Sequence, residues 1–170
     1  MMEGKKKKQS KVRALLVFGA PGSGKTTFAE KFAEKFGLAY YDLEQIMEEY
    51  SFSRDQIFNV LTLIMKTKQN IILEGGLDTE KDRIELRNHL RSNGYEPSLF
   101  WLQTDVATIR MRLKNRYRSV AKAKETYDRA VATMEAPAET ERPIILSGKH
   151  TFDTQARHAL TGLADLVEAK

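Results

Sequence analysis

An apolar run, Val12 to Phe18, leads directly into Gly19-Ala20-Pro21-Gly22-Ser23-Gly24-Lys25-Thr26, and a segment with Phe28, Phe32 and Phe36 follows. No other feature constrains the fold as strongly. The run reads as a strand buried on both faces. The phenylalanines, four residues apart, read as the inner face of a helix. The segment between them fits G-x-x-x-x-G-K-[ST] at every fixed position. Its glycines permit a bend in which successive backbone N–H groups point into one concavity. The helix behind adds the positive end of its dipole. Residues 19–26 with Thr27 therefore read as a cradle for the phosphates of a nucleoside triphosphate. Lys25 can reach the β- and γ-phosphates, and the Thr26 hydroxyl can ligate Mg²⁺.

The remaining pattern alternates strands with helices. Short apolar runs at Leu38–Tyr41, Asn70–Leu73 and Leu99–Leu102 read as further strands, and Thr151–Asp153 as a short last one. Helices are expected over 43–50, after Ser53, over 79–93 with Ile84, Leu86 and Leu90 inward, from Asp105, over 124–134 and over 154–168. Residues 136–142, bracketed by Pro137 and Pro143, read as an ordered loop. Such alternation calls for a mostly parallel sheet covered on both faces, in one domain over 12–170.

Composition narrows the chemistry. The 170 residues contain no cysteine and three histidines, which excludes disulfides and thiolate sites and argues against zinc. No apolar stretch is long enough to span a bilayer, and no signal-peptide pattern precedes the first motif. The expectation is a cytoplasmic protein, without a membrane partner and monomeric. The formal net charge of +5 is unevenly spread. Residues 1–13 carry six cations against Glu3, and 1–11 read as a solvated, disordered arm. Residues 110–129 carry eight cations against Glu125 and Asp128; the rest of the chain is acidic. Either basic block suits phosphate or nucleic acid.

From Val12 onward the chain resembles the small P-loop kinases: shikimate, gluconate and adenylate kinases and, most closely, the polynucleotide kinase/zeta-toxin-like group often labelled AAA-type ATPases. The resemblance implies a three-layer α/β/α sandwich with about five parallel strands in order 2-3-1-4-5 and a helical lid around 110–145. It also implies ATP as the nucleotide. Tyr40-Tyr41-Asp42-Leu43-Glu44 resembles the D-x-D element of these kinases, with Glu in place of the second Asp. It offers Asp42 as base toward the acceptor hydroxyl and Glu44 as a substrate contact; a plain N-cap role for Asp42 is the alternative. Glu74, at the end of Ile71-Ile72-Leu73, resembles the Walker B acid that holds Mg²⁺ through water. Gly75 and Gly76 would let backbone approach the substrate.

Arg112-Leu113-Lys114-Asn115-Arg116 resembles the R-L-x-x-R helix that leads into such lids, with Arg112 and Arg116 on one face to clamp phosphate oxygens. Met134 to Pro143 resembles the stretch after the lid in the polynucleotide-kinase-like group. Arg83 is a further candidate for facing the acceptor, against the alternative of a charged outer helix face. The implied reaction moves the γ-phosphoryl group of ATP·Mg²⁺ to a hydroxyl of a small molecule or nucleoside. A polynucleotide 5′-hydroxyl kinase and a non-kinase ATPase or switch are the alternatives. No N-K-x-D sequence is present, which lowers the case for a guanine-specific switch.

Overall fold

A computed structural model describes residues 11–168; the reading of the basic arm falls almost wholly on residues outside that range. Five parallel strands form one sheet in the order β2-β3-β1-β4-β5. They are β1 (Val12–Phe18), β2 (Ala39–Asp42), β3 (Ile71–Glu74), β4 (Tyr95–Gln103) and β5 (Ile144–Ser147). Seven α-helices connect or follow them: α1 (Lys25–Phe36), α2 (Leu43–Tyr50), α3 (Arg54–Met65), α4 (Glu80–Ser92), α5 (Val106–Tyr117), α6 (Val120–Thr133) and α7 (Phe152–Glu168).

The strands alternate side chains between two apolar layers. Leu15 and Val17 of β1 face α1 and α7, where Phe28, Phe32, Ala156 and Ala159 complete the layer. Ala14, Leu16 and Phe18 face the other way, onto Ile57, Leu61, Leu86 and Leu90. Both faces of the sheet are thus covered, as the uninterrupted apolar run of β1 requires. A small third cluster, Ile109, Leu113 and Ala123, joins α5 to α6 and packs Ala20 of the glycine-rich loop. Among the described residues no helix is long and apolar enough to cross a membrane.

Two sequence expectations are corrected here. The last strand is Ile144–Ser147, while Thr151–Asp153 belongs to the turn and first residues of α7. Leu146 is fully buried opposite Leu102, so packing against β4 decides the strand. Strand β4 is also longer than Leu99–Leu102. Pro97 within it pairs with Ala14 on the β1 side, and β5 pairs only from Phe100 onward. The missing proline N–H therefore falls where no neighbouring strand requires it.

Register sets the site. Val17, Glu74 and Asp42 lie side by side across β1, β3 and β2, so two acids, Asp42 and Glu74, meet at the carboxyl edge beside the loop that leaves β1.

Candidate active site

The loop after β1 bends through left-handed glycines, Gly22 at φ 81° and Gly24 at φ 102°. A Cβ on Gly22 would press on Leu113 and the Ile109 carbonyl at 3.2 and 3.3 Å. Gly24 caps α1 with no side-chain acceptor, and the first turn of α1 has no acid. The free N–H groups and the positive helix end therefore face the cleft unopposed. The Lys25 ammonium donates to the Ala20 carbonyl at 3.3 Å, across the loop. Burial lowers its pKa against the pull of Glu74, Asp78, Glu44 and Asp42.

The head of α1 is tied to β3. Thr26 Oγ1 donates to Glu74 Oε1 at 2.7 Å, and the Tyr40 hydroxyl donates to Glu74 Oε2 at 3.1 Å. Glu74 is buried, and loss of hydration raises its pKa despite these donors and Lys25. Burial and the Glu74 carboxylate raise the Tyr40 phenol in turn. Asp42 accepts the Gln45 N–H at 3.0 Å as the N-cap of α2. Gly75, at φ 86°, passes so close that a Cβ there would lie 2.8 Å from the backbone nitrogen of Glu44. Solvent reaches Glu44, yet partial desolvation of its carboxyl, with Asp78 and Asp42 nearby, raises its pKa.

Two cavities meet at this point. The larger, ≈ 630 Å³, runs from Gly22, Gly24, Lys25, Thr26 and Thr27 past Asp42 and Glu74 to Arg112, Arg116 and His150. The smaller, ≈ 260 Å³, lies beyond Gly19 and Gly75 against Asp78 and the inner side of α6. Pro21, Lys25 and Glu44 border both.

The two arginines of α5 differ in environment. Arg112 donates to the Gly22, Ser23 and Gly148 carbonyls at 3.1, 3.3 and 2.8 Å, so it braces the loop from outside. Gly148 is wedged there: a Cβ would sit 2.0 Å from Thr104 Oγ1 and 2.1 Å from the Ser23 carbonyl oxygen. Arg116 is exposed at the cleft and forms no ion pair among the described residues. Gly76 borders neither cavity; the guanidinium of Arg54 donates to its carbonyl at 3.3 Å.

Arg83 does not face an acceptor. It is 0% exposed, and its guanidinium forms a two-pronged pair with Glu141 at 2.8 and 2.9 Å. It also donates to the Leu77, Asp78 and Glu135 carbonyls. The inner face of α4 is accordingly Arg83, Leu86 and Leu90, while Ile84 is 46% exposed. Burial pushes the Glu141 carboxyl up, but Arg83, the Ala138 N–H and Arg87 together bring it below its ordinary value.

Three contributors escaped the sequence reading. Tyr40 follows from strand alternation, since it shares a face with Asp42. Asp78 stands four residues past Glu74, a spacing that signals nothing by itself. Gly148 has no sequence signal, because its role arises from contact with a loop over a hundred residues earlier.

The sheet order, the phosphate cradle opening α1 and the acids ending β2 and β3 define a P-loop three-layer α/β/α sandwich. The sequence profile of the AAA_33 family, described as an AAA domain, matches residues 15–140, and the chain belongs to that family. Adenylate kinase of Pyrococcus horikoshii is 28% identical over 100 residues, covering 47% of this chain and 46% of that protein. Cytidylate kinase of Staphylothermus marinus is 29% identical over 97 residues, covering 57% and 52%. The chain spans about half the length of these curated relatives. Among solved structures, a sugar kinase from Janibacter sp. shares the fold with a TM-score of 0.67 at 22% identity, over 90% of this chain and 95% of that one.

Proposed function

We propose that the chain is a small kinase that transfers the γ-phosphoryl group of ATP·Mg²⁺ to a hydroxyl of a small acceptor. The observation that carries this reading is the pair of cavities meeting at Lys25 and Glu44. A nucleotide switch requires one such space; a transferase requires two that share the reacting atoms.

In this reading the loop amides, Lys25 and Arg116 hold the triphosphate in the larger cavity, with Arg112 keeping the loop in shape. The acceptor oxygen approaches the γ-phosphorus from the smaller one. It forms the new P–O bond as the bond to the β–γ bridging oxygen breaks, and ADP carries that electron pair away. The acceptor proton passes to a carboxylate. Glu44 borders both cavities, and its pKa is raised by partial burial, the direction that makes a carboxylate a stronger base. Asp42 borders only the larger cavity, and one of its oxygens is engaged by Gln45. We therefore assign the base to Glu44 and place Asp42 on the metal side.

The Thr26 hydroxyl, Glu74 and Asp42 form a hard oxygen set suited to Mg²⁺, which keeps several waters and leans on substrate phosphates. Bound there, the ion would neutralise charge on the β- and γ-oxygens. Closure of α6 over the site would exclude water and favour transfer over hydrolysis.

A nucleic-acid end kinase is the second reading, favoured by the exposed cations of α5 and α6. Lys124 and Arg129, however, are paired along α6 with Asp128 and Glu125, which weakens the field available to a phosphate backbone. Incubation with γ-labelled ATP and a panel of nucleosides, sugars, small acids and 5′-hydroxyl oligonucleotides, with and without residues 1–11, separates these readings. Acceptor-dependent labelling supports the kinase. Hydrolysis indifferent to every acceptor supports a switch. Labelling of oligonucleotides that falls steeply with salt supports the second reading.

A further inference from the structure

The smaller cavity has an unusual charge balance for a site that accepts phosphoryl groups. Its charged lining residues are Lys25, Arg129, Glu44 and Asp78. Lys25 belongs to the donor phosphates. Arg129 is turned to Glu125, one helical turn earlier, at 2.5 Å. Two carboxylates therefore remain, with Asp42 close behind Glu44. The rest of the wall includes Phe18, Leu77 and Met134, an apolar floor. Arg83 of α4, the candidate for facing the acceptor, is buried against Glu141.

Anionic acceptors meet a cost here. A phosphate or carboxylate brought beside Glu44 and Asp78 would be repelled at short range in a partly desolvated cavity, where the lining guanidinium, Arg129, is engaged by Glu125 in an exposed pair. Hydroxyl and ammonium groups, by contrast, donate to carboxylates in strong, charge-assisted hydrogen bonds. The volume of ≈ 260 Å³ lies just under the roughly 300–1,000 Å³ typical of drug-sized ligands, which suits a single ring.

Resting on the kinase reading, we infer that the acceptor is a small polyol without negative charge, either neutral or carrying an ammonium group, held through its donors by Asp78 and Glu44. Nucleoside monophosphates and sugar acids are excluded as acceptors. Transfer itself is as written above: the acceptor hydroxyl loses its proton to Glu44, gains the phosphoryl group, and ADP departs.

The test uses the full chain saturated with the ATP analogue AMPPNP, so that only the smaller cavity is free. Glucose, glucosamine, gluconate and AMP are titrated separately and followed by NMR shifts of residues around Asp78. Saturable binding is expected for glucosamine or glucose, weakened about tenfold or more in Asp78→Asn, with none for gluconate or AMP. Saturable binding of AMP or gluconate as tight as that of the polyols overturns the proposal. So does polyol binding indifferent to Asp78→Asn, or failure of both polyols to bind. AMPPNP binding, and its loss in Lys25→Ala, checks the kinase reading separately. A chain that holds AMPPNP and then takes AMP into the smaller cavity sinks this inference and leaves that reading intact.

Discussion

Thr26 and Glu74, 48 residues apart, are joined by a 2.7 Å hydrogen bond from the Thr26 hydroxyl to the Glu74 carboxylate. The bond ties the first turn of α1 to the end of β3 and holds both oxygens on the side where a nucleotide's metal would lie. Glu74→Gln preserves the acceptor for Thr26 but removes the charge. The expected outcome is an unchanged fold with a Mg²⁺ requirement raised by about 10–100-fold. Activity against Mg²⁺ concentration checks it; an unshifted curve removes Glu74 from the metal side.

Lys25→Ala is expected to abolish turnover without unfolding the protein. Burial already disfavours the charged ammonium, so its removal relieves a desolvation penalty. Thermal unfolding should occur at the same temperature or higher, while γ-phosphoryl transfer disappears. A fully active Lys25→Ala protein would falsify the mechanism.

In the proposed mechanism Glu44 sets the pH dependence. As a base it must be ionised, and its pKa lies above the ordinary carboxylate range of about 4. The acid limb of kcat/KM should therefore fall at a pH above that range, and Glu44→Gln should remove the limb along with most of the rate. Stability runs the other way. With the folded pKa raised, the folded chain binds the proton more readily than the unfolded one. This group's contribution to stability is therefore lost as pH rises from the unfolded to the folded pKa. At neutral pH Glu44→Gln should be as stable as the parent or more so; a clear drop in Tm there contradicts the assignment.

The buried pair makes a stability prediction. Arg83→Met leaves the Glu141 carboxylate without its two-pronged partner and should destabilise the fold by roughly 3–5 kcal/mol. The double replacement Arg83→Met with Glu141→Leu should recover much of that loss, because it removes both charges together. Urea unfolding of the two single variants and the double variant measures the coupling. Strict additivity would mean that the pair is not the source.

What the sequence disclosed and what it withheld have physical reasons. The β1–loop–α1 unit is local: strand, turn and helix are neighbours in the chain, and the requirement for glycine at Gly19 and Gly24 is visible in the motif, whereas that at Gly22 comes from contact with α5. The strand order was legible only through resemblance, but Asp42 and Glu74 stood out as acids ending apolar runs. Arg83 was read as facing the acceptor, with a charged outer helix face as the alternative, and it does neither: it is buried. Its true partner is 58 residues away, and no local pattern reports it. Strand β5 was missed for a related reason. Ile145 is 53% exposed while Leu146 is buried, and only contact with β4 decides which short apolar run pairs.

The basic segment around α5 and α6 is pinned at both ends. Arg112 is fastened to the Gly22, Ser23 and Gly148 carbonyls. At the other end, Glu135 donates its N–H to the Asp78 carbonyl at 2.8 Å and accepts the Glu80 N–H at 2.7 Å. Only the chain between these anchors is left to move, around the left-handed Arg118 that joins the two helices. In the kinase reading, closing over a substrate would mean settling one helix, α6, rather than recruiting a loose loop. The ordering entropy lost on binding would then be small, and in the kinase reading more of the acceptor's contact energy would be left for telling one hydroxyl compound from another.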